Sequence, residues 1–159
     1  MNAPHLVARI ALCALVGSVA LSSMTGVLAG QNGNGKATVT VGEETFTFGS
    51  GECKVTANSF TFIAGDGLKG ERFEVNIPHP VRSQDPAAIK PTKDGTYTHA
   101  SIAIIPAGST GTGKNWHAGG RTAREADISV TLKNNRRAGE FSGRTDGSPR
   151  RVLKGSFSC

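Results

Sequence analysis

Apolar side chains fall on every second position through most of the chain beyond residue 35, and this period of two sets the fold class. Residues 36–41 alternate with Val39 and Val41 on one side. Residues 43–48 place Phe46 and Phe48 on one face, and Gly42 between the two runs predicts a tight turn joining them. Residues 53–57 continue the pattern, and 59–63 align Phe60 with Phe62. In 71–77, Phe73, Val75 and Ile77 point one way and Arg72, Glu74 and Asn76 the other. A proline-marked stretch (Pro78, Pro80, Pro86, Pro91) interrupts the alternation. It resumes at 96–105, whose end is almost wholly apolar, as a central strand would be. Residues 125–132 alternate through Ile128, Val130 and Leu132, and 139–143 and 152–159 finish the chain as two short strands around the turn 146–149. No stretch of 31–159 sustains a helical period. The pattern predicts an all-β domain, an antiparallel β-sandwich or barrel of about eight short strands.

The first thirty residues do not share this pattern. His5 and Arg9 precede the apolar run 10–21, small residues follow to Ala29, and a polar stretch begins at Gln31. That order is the order of a secretory signal peptide, with cleavage after Ala29 or Gly30, leaving 31–159 as one domain. The alternative is an uncleaved anchor over 10–29. Ser18, Ser22, Ser23, Thr25 and two glycines dilute that stretch, which favours cleavage. Export changes the meaning of the cysteines. Removing the leader takes Cys13 with it and leaves Cys53 and Cys159, an even pair in an oxidising compartment, which predicts one disulfide closing a loop of about a hundred residues.

Residues 108–114 fit the glycine and lysine spacing of a phosphate-binding loop, G-x-x-x-x-G-K. Such a loop needs a helix at once after its lysine and a Ser or Thr to ligate magnesium. Asn115 stands at that position, and the residues that follow, Trp116 to Gly120, break a helix at its first turn. A nucleotide partner is therefore not expected. The connection 107–121 is longer than compact domains usually contain, and loops of that length tend to be functional or disordered. Lys114, Asn115, His117 and Arg121 surround the chain's only tryptophan, Trp116. An aromatic plate flanked by donors suits a sugar ring or an acidic partner surface. The competing reading has Trp116 fold back to plug one end of the sandwich.

His79, His99 and His117 lack the short spacing of a metal site, so no metal and no cofactor are expected. No serine sits in a G-x-S-x-G setting; Ser109 and Ser148 follow glycines in turns, and Asp66 and Asp94 precede them. Charge is more informative. Residues 31–113 hold seven Lys/Arg against eight Asp/Glu, whereas 114–159 hold ten against four. Arg136, Arg137, Arg150 and Arg151 stand at turns or strand edges and form the candidate polyanion patch. Of the rings in this third, Phe141 and Phe157 point inward, which argues against nucleic acid.

The run 39–42 (Val-Thr-Val-Gly), Cys53 in a later strand segment, the G-x-F-x-G stretch 139–143 and the terminal 154–159 (Lys-Gly-Ser-Phe-Ser-Cys) together resemble the mycobacterial 19-kilodalton lipoprotein antigen family. The resemblance implies an exported, cell-envelope-associated β protein with a similarly placed cysteine pair, and no catalytic residues. The chain departs from the family in its lipid-attachment site. Cys13 is preceded by Leu12 rather than a small residue, so a membrane tether is not expected. The functional expectation is an exported, monomeric binding or surface-interaction module without catalytic activity, facing an envelope polymer or an acidic partner surface. One alternative is an anionic-polymer binder (polysaccharide, lipid or nucleic acid) working through the basic C-terminal third. The other is a hydrolase with a dispersed site.

Overall fold

The computed structural model describes residues 33–78, 91, 93–109, 114–119 and 127–159. Among them lie ten strands: β1 (Gly35–Val41), β2 (Glu44–Val55), β3 (Phe60–Ala64), β4 (Arg72–Ile77), β5 (Gly95–Tyr97), β6 (Ser101–Ile105), β7 (Trp116–Ala118), β8 (Ile128–Lys133), β9 (Ala138–Arg144) and β10 (Val152–Ser158). They make one sheet in the order β5-β8-β9-β10-β1-β2-β3-β4-β6-β7, antiparallel at every pairing. This is the all-β, antiparallel class that the alternation predicts. The predicted leader, residues 1–30, lies outside the described residues. No helix among the described residues is long and apolar enough to cross a membrane.

The sheet curls because β2 belongs to both of its halves. Glu44–Phe48 pair with β1, and Glu52–Val55 pair with β3. Between them Ser50 adopts φ +55°, and the register jumps from Ala37↔Phe48 to Gly35↔Gly51, which places an extra residue in β2. A bulge of this kind bends a strand and increases its twist. It turns β3-β4-β6-β7 back over β5-β8-β9-β10-β1, and the inward side chains of the two halves meet. Phe73 of β4 contacts Phe48, Phe62 and Phe141, with ring centroids 5.5, 5.9 and 5.4 Å away. Phe157 of β10 stacks on Phe62 at 4.9 Å.

Strands β9 and β10 carry the same tripeptide pattern, Gly-x-Phe, in opposite directions. Phe141 stands opposite Gly155, and Phe157 opposite Gly139. A Cβ on Gly155 would lie 2.4 Å from the Phe141 ring and 2.2 Å from the Thr38 carbonyl oxygen; one on Gly139 would lie 2.3 Å from the Phe157 ring. Each glycine is thus the floor on which the facing ring lies, an arrangement known to rescue glycine within strands.

The observed element boundaries depart from the sequence expectation in three places, two of them by the same cause. The runs 43–48 and 53–57 belong to one strand, and the run 96–105 is two. In each case the inward parity switches: from even (Phe48) to odd (Gly51) in β2, and from odd (Tyr97) to even (Ala100, Ile102) between β5 and β6. The second switch sends β5 to β8 and β6 to β4, in opposite halves. As a result β6 is the penultimate strand, not a central one. The third difference is β7, which forms inside the glycine-rich connection 107–121.

The predicted disulfide is present. Cys53 and Cys159 are bonded with their Cα atoms 5.5 Å apart. The Cys159 N–H also donates to the Arg137 carbonyl at 2.8 Å. That carbonyl belongs to the turn 134–137, where Asn134, Asn135 and Arg136 take φ of +55°, +56° and +62° in succession. The Asp94 carboxylate holds this left-handed turn by accepting the N–H groups of Asn135 and Arg136 at 2.9 and 2.8 Å.

Candidate functional site

Of the residues proposed around the tryptophan, four lie within the described residues and Arg121 lies outside them. Strand β7 is the last in the sheet, yet three contacts tie its segment to the opposite half. Lys114 Nζ donates to Glu44 Oε2 at 2.7 Å. The Trp116 ring packs on Phe46 of β2 at 5.5 Å, both of them half-buried. The Asp146 N–H donates to the His117 carbonyl at 2.6 Å. Asn115 Oδ1 accepts from Ser109 Oγ at 3.4 Å. Trp116 thus covers one end of the core. Trp116→Ala is expected to cost about 2 kcal/mol in equilibrium urea unfolding, the value of a large ring half removed from water. A loss below about 0.5 kcal/mol, the range of an ordinary surface site, would contradict the packing role.

The four arginines are not gathered. Arg136 and Arg137 lie in the β8–β9 turn and Arg150 and Arg151 in the β9–β10 turn, at opposite ends of β9, roughly 20 Å apart at about 3.3 Å per residue. Three of them make internal contacts. Arg136 is half-buried and donates to the Pro91 carbonyl at 3.5 Å. Arg150 pairs with Asp127 at 2.9 Å, and Arg151 approaches Glu44 at 3.8 Å. Arg137 is exposed. Of the histidines, His99 lies in the bend before β6, His117 is exposed on β7, and His79 lies outside the described residues. Among the described residues no three His, Cys, Asp or Glu side chains are grouped to hold a metal.

A different surface has the form of a site. The outward positions of the half built from β5, β8, β9, β10, β1 and the start of β2 are occupied mainly by serine and threonine. The pairing registers align them in rows across the strands. One row runs Thr47, Thr38, Ser156, Glu140, Thr131, Thr96. The next runs Thr45, Thr40, Lys154, Ser142, Ser129. Hydroxyls at the margins bond to one another, Thr40 to Thr45 at 3.1 Å and Thr96 to Thr131 at 2.9 Å. Short side chains flanking the long Glu140 and Lys154 leave a trough of about 460 Å³, and the twist of the sheet makes its outer surface concave along one diagonal.

Charge distinguishes this face from its counterpart. Lys36, Lys133, Arg144 and Lys154 project from it against Glu140 alone, and Glu140 is paired with Lys133 at 2.7 Å. Lys36, Arg144 and Lys154 make no ion pair with another described residue. The outer face of the other half carries two charges of each sign, and they pair along their own strands, Lys54 with Glu52 at 3.9 Å and Arg72 with Glu74. A second groove of about 470 Å³ there lies between Ile63, Ile105 and the turn that follows Ala64. In that turn Asp66 caps a 3-10 segment, Gly67–Lys69. Hydrogen bonds from Lys69 and the Leu68 N–H hold the Asp66 carboxyl below the ordinary carboxylate range.

The hydroxyl rows are absent from the expectations above, although the sequence carries a signal for them. In T-x-T at 38–40 and 45–47 and S-x-T at 129–131, the outward half of the alternation is uncharged and hydroxylated. No protein-family model, no curated protein and no solved structure matches the chain.

Proposed function

We propose that this protein is an exported module that binds an anionic polymer of the cell envelope, and that it does so through the cationic outer face of β1, β8, β9 and β10. The observation that carries the reading is the asymmetry between the two outer faces, four cations against one carboxylate on one and internally paired, balanced charges on the other. Unpaired surface cations on one side of a small domain focus a positive field and attract polyanions. Export is supported by the Cys53–Cys159 bond, since disulfides persist in oxidising compartments, and the layout resemblance points to the envelope. Three of the face's cations, Lys133, Arg144 and Lys154, come from the basic C-terminal third.

Retention on immobilised heparin as a function of salt tests this. The parent is expected to bind at low salt and elute as salt rises. Converting Lys36, Arg144 and Lys154 together to Gln is expected to lower the log–log salt slope by about 2 to 3, at roughly 0.7 to 0.9 for each polymer charge that is no longer neutralised. Converting Arg137, Arg150 and Arg151 to Gln should change it less, because two of these are engaged internally. Equal effects of the two triple variants, or none from the first, would refute the assignment to this face.

A further inference from the structure

The chemistry of the trough narrows the polymer, and this step rests on the reading just given. We infer that the trough seats an extended acidic polysaccharide, a chain of hydroxylated rings bearing carboxylate, sulfate or phosphate groups, lying across the strands. The first ground is the lining. A serine or threonine hydroxyl offers one donor and two acceptor positions and rotates to suit its partner. Two rows of such groups, one interrupted by Glu140 and the other by Lys154, repeat at the strand spacing of about 4.8 Å and present donor and acceptor capacity along lines roughly 24 and 19 Å long. A ligand that exploits this must carry hydroxyls at short, regular intervals, as a sugar chain does.

The second ground is charge complementarity within the trough. Lys154 lies at the middle of its row, between Thr40 and Ser142, and is the cation nearest the trough's centre by register. An ammonium is a compact point charge with three donors, suited to an acid group without demanding one orientation. Glu140, its diagonal neighbour, is neutralised by Lys133 and keeps acceptor capacity for a sugar hydroxyl. Lys36, two residues before Thr38, and Arg144, two residues after Ser142, flank the pair of rows on opposite sides and add to the positive field over the trough.

The lining also disfavours other occupants. Phe141, the one aromatic residue that borders the trough, is buried with its ring directed to the core, so no ring faces outward to stack a nucleic-acid base. Nor is any large apolar side chain exposed in the trough to hold a peptide side chain or an acyl chain. A neutral glycan would lack the attraction that Lys36, Arg144 and Lys154 supply. The volume of about 460 Å³ lies within the range of small-ligand sites and is open to the surface, as a chain entering and leaving requires.

Calorimetric or fluorescence titration of the intact mature protein with two probes tests the inference. One probe is an oligogalacturonate, acidic and hydroxylated; the other is inorganic polyphosphate, acidic without hydroxyls. Thr38→Val, Thr131→Val and Ser156→Ala combined remove three trough hydroxyls at outward strand positions, with Val preserving β-propensity at the two threonines. This variant is expected to lose affinity for the oligogalacturonate about tenfold or more while keeping its affinity for polyphosphate. Lys154→Gln is expected to weaken both. If the hydroxyl variant binds the oligogalacturonate as the parent does, the inference falls and the broader polyanion reading stands. If it weakens both probes equally, the hydroxyls do not select a sugar and the inference again falls. If the parent binds neither probe, both readings fall together.

Discussion

Replacing Phe73 with alanine is expected to remove about 4 kcal/mol of stability, the middle of the range for deleting a fully buried ring, and to lower the melting temperature by roughly 15 °C. Phe73 has no exposed surface and touches rings from both halves of the sheet, Phe62 from its own half and Phe141 from the facing one, with Phe48 between them on β2. Its loss leaves a cavity at the point where the curl closes, and the neighbours belong to strands whose hydrogen bonding prevents them from collapsing into it. Leu68 supplies the contrast. It is fully exposed at the tip of its turn, and Leu68→Ala should change stability by less than about 0.5 kcal/mol. Similar losses for the two variants would contradict the packing described for β4.

The Cys53–Cys159 bond is the second large contributor. It joins residues 106 apart in sequence, and on the chain-entropy account a loop of that length is worth up to about 4.7 kcal/mol through restriction of the unfolded chain. Converting both cysteines to serine is expected to cost most of that. It should also release the end of β10, because Cys159 otherwise holds its N–H on the Arg137 carbonyl. Hydrogen exchange should then quicken at the β10 terminus and in the turn 134–137. Thiol labelling of the denatured, unreduced protein should find no free thiol at Cys53 or Cys159. Two labelled thiols, or a double variant as stable as the parent, would contradict this account.

The alternation alone carries the fold class because each strand buries one face, so that inward positions repeat every second residue from Val39 to Phe157. What it does not convey is where the parity changes. The bulge at Ser50 and the break between Tyr97 and Ala100 preserve local alternation while reversing its phase. Assigning strands to halves of the sheet depends on those reversals. The cysteine pairing is legible from number and compartment. Trp116 stands out in the sequence with both of its readings open, because its half-burial depends on Phe46, seventy residues earlier. The four arginines resemble one patch in the sequence because their two turns are close along the chain, and only the length of β9 separates them in space. The trough is invisible for the opposite reason. Its residues come from four strands, and only the registers bring Thr38, Ser156 and Thr131 into line.

Chemical-shift mapping of the backbone amides during titration with an oligogalacturonate addresses the central claim most directly, since it reports where the acidic chain sits without altering the protein. The account predicts that the largest shifts fall on β1, β8, β9 and β10, at Thr38, Thr40, Thr131, Ser142, Lys154 and Ser156, with little change on β4, β6 and β7. Shifts centred instead on the turns 134–137 and 149–151, or around Trp116, would contradict it.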